Sequence, residues 1–132
     1  MIHTTFNLLH QAGACPAGYK KLVKHLGGIK KYGRDTPIPL AVVLENNGLE
    51  DALWCLEAVL PGEAERRDRM ASLLACDFAE HVLPVFERVF PTDDRPRAVI
   101  QTARRFALGQ ATQPQLEAAG AAGAAWAAWA AG

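Results

Sequence analysis

The sequence is short of cysteine: Cys15, Cys55 and Cys76 are its three, an odd number with no CxxC spacing. That excludes a disulfide framework and fits a reducing cytoplasm in which each thiol packs as a small core residue. No stretch alternates apolar and polar residues over a strand length, and Val and Ile are scattered, so no sheet is expected. Long hydrophobic runs are missing too. The uncharged stretch at residues 118–132 is mostly Ala and Gly and is shorter than the ~20 residues of a spanning helix. Met1-Ile2-His3-Thr4-Thr5 has neither a basic n-region nor an apolar h-region, so no secretion signal is expected. Catalytic signatures are equally scarce. Gly27-Gly28 lacks the preceding strand and following Lys-Ser/Thr of a phosphate loop, no nucleophile elbow occurs, and His3, His10 and His25 share no spacing.

What is present is helical punctuation. A chain of 132 residues and 14.3 kDa, half of it apolar, buries roughly two-thirds of its unfolded surface as one domain. Helices are expected over residues 3–12, 15–26, 40–46 and 49–60. They are closed in turn by Gly13, Gly27-Gly28, Asn46-Asn47-Gly48 and Pro61-Gly62. Between them Tyr32-Gly33-Arg34-Asp35 reads as a loop, and Pro39 suits a first helical turn. The stripe Leu49, Leu53, Leu56 and Leu60 argues for one continuous helix there. The longest element spans residues 63–90. Met70, Leu73, Leu74, Phe78, Val82, Val85, Phe86, Val89 and Phe90 recur at helical spacing, which predicts the central core helix. Pro84 inside it removes a backbone donor, so a kink or break is expected.

A further helix over residues 95–108 has Pro96 in its first turn and Asp93 or Asp94 to cap it, with Val99, Ile100, Ala103, Phe106 and Ala107 as its buried face. Thr112-Gln113-Pro114-Gln115 has capping-box spacing for a last helix to about residue 130. Eleven of the 22 residues from position 111 onward are alanine, and Trp126 and Trp129 flank a smooth small-residue stripe. The plain reading is a helix docked on its own core; the alternative is that the two indoles form a homodimer interface.

Charge is segregated although it sums to zero. Residues 1–34 hold Lys20, Lys21, Lys24, Lys30, Lys31 and Arg34 and no acid. Residues 35–65 hold Asp35, Glu45, Glu50, Asp51, Glu57, Glu63 and Glu65 and no base. The two blocks either neutralise each other or present opposite fields to a partner. The basic block lacks the aromatic interleaving of single-strand binders, which disfavours direct nucleic-acid binding. Lys20, Lys21 and Lys24 on one side and Glu45, Glu50, Asp51 and Glu57 on the other are the candidate partner-binding residues, the acids suiting a basic protein.

Asp77 and His81 stand at i, i+4 near Cys76 and Glu80 and can meet. As a metal half-site or acid–base pair they lack any further ligand or base, so a structural polar pair is the better reading. Asp94, Arg95 and Arg97 read likewise as framework, with the arginines pairing to carboxylates of the preceding helix. No catalytic residue, metal site or cofactor is expected.

Asn47-Gly48-Leu49-Glu50-Asp51-Ala52-Leu53-Trp54-Cys55-Leu56 resembles the "NGL-DALW-L" element of a bacterial and phage family of immunity proteins of polymorphic toxin systems. Residues 75–83 are similar to that family's "ACD-AE-VL" element, and continue through Phe86-Glu87, Asp93-Asp94-Arg95-Pro96-Arg97, Ala103-Arg104-Arg105-Phe106 and the Ala-rich tail. The resemblance covers about residues 39–132; the helices of residues 1–38 match less clearly. It implies an all-helical cytoplasmic protein, without catalytic residues, that binds a bacterial protein. The expectation is a single compact all-α bundle over residues 1–132, with about six or seven helices and a long Pro-kinked central one. It would be a non-catalytic inhibitor that neutralises a toxin. The alternatives are a phage-borne anti-defence protein of anti-CRISPR type, acting on a defence-complex subunit in the host cytoplasm, and a small helical enzyme or scaffold.

Overall fold

Thr4 and Thr5 are β-branched and fully enclosed, and each gives its hydroxyl a partner. Thr4 donates to the Ala58 carbonyl at 2.6 Å, and Thr5 accepts from Leu8 N–H at 3.1 Å as a helix N-cap. In a computed structural model the backbone is described over residues 1–131 and the side chains over residues 1–122. The chain divides into two compact units, Met1–Asp68 and Arg69–Gly132.

The first unit begins with strand β1 (His3–Thr4), paired antiparallel to β2 (Ile38–Pro39) with Thr4 opposite Ile38. This small ladder was not expected from the sequence, because two residues a side are too few to show alternation. Between the strands lie α1 (Phe6–Gln11), α2 (Pro16–His25) and α3 (Ile29–Tyr32), the last inside a stretch expected to be partly loop. Leu40 N–H donates to the Ile2 carbonyl at 2.9 Å, and Leu60 N–H to the His3 carbonyl at 3.0 Å. The N-terminal strand is thus bonded to the segments on both of its sides. Phe6 is wholly buried and meets Tyr19 and Tyr32 edge-on, with ring centres 5.7 and 5.9 Å apart. Leu22, Ile38 and Val43 complete this core.

After β2 come α4 (Leu40–Asn47) and α5 (Leu49–Trp54), joined at Gly48, whose φ of 99° is the positive value that favours glycine. The expected helix over residues 49–60 is not continuous. It ends at Trp54 and tightens into a 3₁₀ segment, Cys55–Ala58, before a second, Pro61–Glu63. The buried positions here are Ala52, Cys55, Ala58 and Val59, while Leu49 is exposed. Small residues, not the leucine stripe, make the close contacts.

The longest helix, α6 (Ala64–Val89), passes through Pro84 without a break, and the boundary between the units falls within it. It is followed by α7 (Arg95–Ala107) and α8 (Gln113–Ala131). Thr112 and Gln115 cap α8 reciprocally: Thr112 N–H donates to Gln115 Oε1 at 2.8 Å, and Gln115 N–H to Thr112 Oγ1 at 3.4 Å. The chain is all-α apart from the two-strand ladder. Among the described residues no helix is long and apolar enough to cross a membrane.

Glu63 fastens the N-terminal strand from outside, accepting from His3 N–H at 2.7 Å and meeting His3 Nδ1 at 2.8 Å. Burial alone would raise this carboxyl, but the two His3 hydrogen bonds, with the charges of His3 and Arg66, hold it below its ordinary 4.5. A depressed carboxyl contributes stability that is present above its unfolded value and is lost as pH falls through the folded one. Urea unfolding of wild type and Glu63→Gln will therefore show a gap at about pH 7 that narrows below about pH 4.5. A gap of constant size down to about pH 3 would contradict the assignment.

Candidate functional site

The second unit is organised by ion pairs between α6 and α7. Arg104 Nη2 donates to Asp77 Oδ1 at 2.7 Å and lies 3.0 Å from Glu80 Oε2. Arg97 donates from Nε and Nη2 to the two oxygens of Glu87, 2.8 Å each. Partners descend along α6 as they ascend along α7, so the helices run antiparallel. The Asp77 hydrogen bond, joined by Glu80, holds the Arg104 guanidinium above its ordinary value. At the turn, Arg95 clasps Asp93 through Nε and Nη2, 2.8 Å each. Asp93 also accepts from Arg95 N–H at 3.1 Å, whereas Asp94, the N-cap residue, makes no side-chain cap bond.

These contacts correct one expected pair. Asp77 does not meet His81; its carboxylate goes to Arg104, 27 residues away, and His81 is exposed with no hydrogen bond among the described residues. Among those residues no three His, Cys, Asp or Glu side chains gather as a metal site.

A larger correction concerns the α6 stripe. The residues of α6 that are buried are Cys76 and Leu83, each 5% exposed, and the Cys76 thiol points its donor at the Ile100 carbonyl, 3.8 Å away. Phe78, Val82, Val85 and Val89 are 50, 60, 59 and 68% exposed. At ~100° per residue these four share one narrow face, and Cys76, Glu80, Leu83 and Glu87 lie roughly half a turn away. This part of the expected core stripe therefore faces outward, because α7 has taken the other side, while Met70, Leu73, Leu74 and Phe86 are half-buried. The expected buried face of α7 is only half-covered: Val99, Ile100, Ala103 and Ala107 are half-buried and Phe106 is exposed.

The candidate partner-binding residues fall in the first unit. Lys20, Lys21 and Lys24 are exposed on α2, on the side turned away from buried Leu22. Glu45 of α4, Glu50 of α5 and Glu57 of the 3₁₀ segment are exposed, and Asp51 is half-buried. Among the described residues no ion pair joins these lysines to these acids. Trp126 and Trp129 lie outside the residues whose side chains are described.

Sequence reasoning missed a cleft of about 180 Å³ between α2 and α4–α5, bordered by Tyr19, Asn47, Glu50, Asp51, Trp54 and Cys55. Asn47 Nδ2 donates both to the Gly18 carbonyl, at 2.9 Å, and to Asp51 Oδ2, at 2.7 Å. A Cβ at Gly18 would stand 2.6 Å from that same oxygen, so glycine inside α2 is what lets Asp51 approach. Burial and the neighbouring Asp51 charge push the Cys55 thiol up to about 11, which leaves it a protonated, inert core group. The signal for this cleft was the Asn47…Asp51…Cys55 spacing, four residues apart from the end of α4 through α5 to the start of the 3₁₀ segment.

An all-helical chain whose second unit carries an outward apolar stripe has the character of a binding protein. The family model described as "Imm-5 like putative immunity protein" matches residues 62–131. That is more than half of the chain, and the chain belongs to this family. The match includes α6, α7 and α8 and leaves the Asn47-Gly48-Leu49 element outside it. Membership carries an immunity-type role, which implies a protein partner. No curated protein and no solved structure matches the chain.

The two sides of α6 have opposite sensitivities. Leu83→Ala is expected to cost about 2–5 kcal/mol in urea unfolding, as for any buried leucine. Val82→Asp, one residue away, is expected to stay within about 0.5 kcal/mol of wild type. Equal losses would place Val82 inside the core and contradict the assigned facing.

Proposed function

We propose that the protein is a non-catalytic inhibitor that binds and neutralises a partner protein, as a toxin immunity protein does, and that the Phe78–Val82–Val85–Val89 stripe of α6 makes the contact. The observation that carries this reading is the outward stripe lying within the family-matched residues. Exposed contiguous apolar surface is costly in water and is kept where a partner covers it. His81 and Arg88, both exposed, edge the stripe and supply the polar rim that such interfaces have.

The charge blocks take a different part. Glu45, Glu50 and Glu57 attract a basic partner, while Lys20, Lys21 and Lys24 repel it. Opposed fields on one small unit orient an encounter and raise its rate more than they tighten the final complex. The site of action is the bacterial cytoplasm, which is the host's when the protein is phage-encoded.

The test is a tagged pull-down from bacterial lysate at ~0.15 M salt, where only a specific interface survives screening. The captured protein is then expressed alone and with this one. The expected result is a toxin whose growth arrest is relieved by wild type but not by a folded Val82→Asp/Val85→Asp variant. Relief by both overturns the stripe as the contact. A captured defence-complex subunit that is harmless alone replaces immunity by the anti-defence role, and an empty bait contradicts both.

A further inference from the structure

The cleft of the first unit lies outside residues 62–131, and of its lining Glu50 alone enters the immunity reading, as part of the acidic field. Its walls are chemically lopsided. Tyr19 and Trp54 offer aromatic surface, Leu22 and Val43 close the floor, and Glu50 and Asp51 bring two carboxylates. No lysine or arginine lines it, and neither carboxylate has an ion pair among the described residues. The lysines of α2 point the other way.

Asp51 is held, not loose. Asn47 fixes one of its oxygens, and Gly18, in the first turn of α2, gives that oxygen room. The other oxygen, the Tyr19 hydroxyl and the Trp54 indole N–H make no hydrogen bond among the described residues. A half-buried carboxylate in that setting discriminates strongly between occupants. An anion is repelled, and a neutral apolar ligand would strip water from Asp51 without replacing it. A hard metal ion wants six or more oxygens, which aromatic walls do not supply. A guanidinium or alkylammonium group satisfies both features, pairing with the carboxylates while its face or stem lies on the rings.

We propose that this cleft binds an organic cation, with Asp51 and Glu50 pairing its charge and Tyr19 and Trp54 stacking on it. The cation is either the head of an arginine or lysine side chain on another protein or a free small amine.

The protein has three tryptophans, so a Trp126→Phe/Trp129→Phe background leaves Trp54 as the sole reporter. Its emission is followed during titration with agmatine, with a Gly-Arg-Gly peptide, and with the same peptide carrying neutral citrulline. The expected result is a saturable change with at least one cationic probe and none with citrulline. Tighter binding of agmatine assigns a free amine, and tighter binding of the peptide assigns a protein side chain. Asp51→Asn and Glu50→Gln should each weaken binding by about ten-fold or more. Because Glu50 is exposed, its variant retains the fold even if Asp51→Asn does not. No saturable response up to ~10 mM, equal binding of citrulline, or an unchanged Glu50→Gln affinity in folded protein overturns the proposal.

Discussion

Arg104 sets the arrangement of the family-matched half. A guanidinium that reaches Asp77 and Glu80 together, with Arg97 doing the same to Glu87, decides which side of α6 is presented to α7. Exposed ion pairs stabilise little, each about 0–1 kcal/mol, so their effect is one of register and choice of face. Once the acidic side of α6 is joined to α7, Cys76 and Leu83 are enclosed and the valines with Phe78 are turned outward. The same choice that builds the hairpin creates the apolar surface.

Much of the local structure is readable from the chain because its causes are local. Pro16 and Pro96 sit in first helical turns, Gly48 turns the α4–α5 corner, and Thr112 with Gln115 closes a capping box. The illegible parts are long-range. Asp77 has a plausible partner four residues on, yet an arginine 27 residues away outcompetes it, because guanidinium and carboxylate make a charge-assisted bond at any pH near neutrality. Periodicity shows that α6 has an apolar face but not that the fold will cover it, and here the fold does not. The β1–β2 ladder was invisible for a similar reason: Thr4 is a strand residue only because Ile38 and Ala58 come to it.

The two units carry contrasting surfaces. The matched unit offers apolar side chains with a rim of His81 and Arg88, suited to burial against another protein. The first unit offers a carboxylate-edged aromatic cleft, suited to one cationic group. The Asn47-Gly48 corner belongs to that second kind of chemistry: it starts α5 so that Asp51 and Trp54 border one hollow, with Asn47 itself tethering Asp51 to α2. This sequence element thus has a local physical task.

The proposed role of α6 rests on its two-sidedness, and methyl NMR with a soluble paramagnetic agent reads that directly. With valine and leucine methyls labelled, Val82, Val85 and Val89 should broaden strongly while Leu83, between them in sequence, stays sharp. Protection of the three valines in the free protein, or broadening of Leu83 to match, would show that the stripe is core after all and would remove the surface on which the account depends.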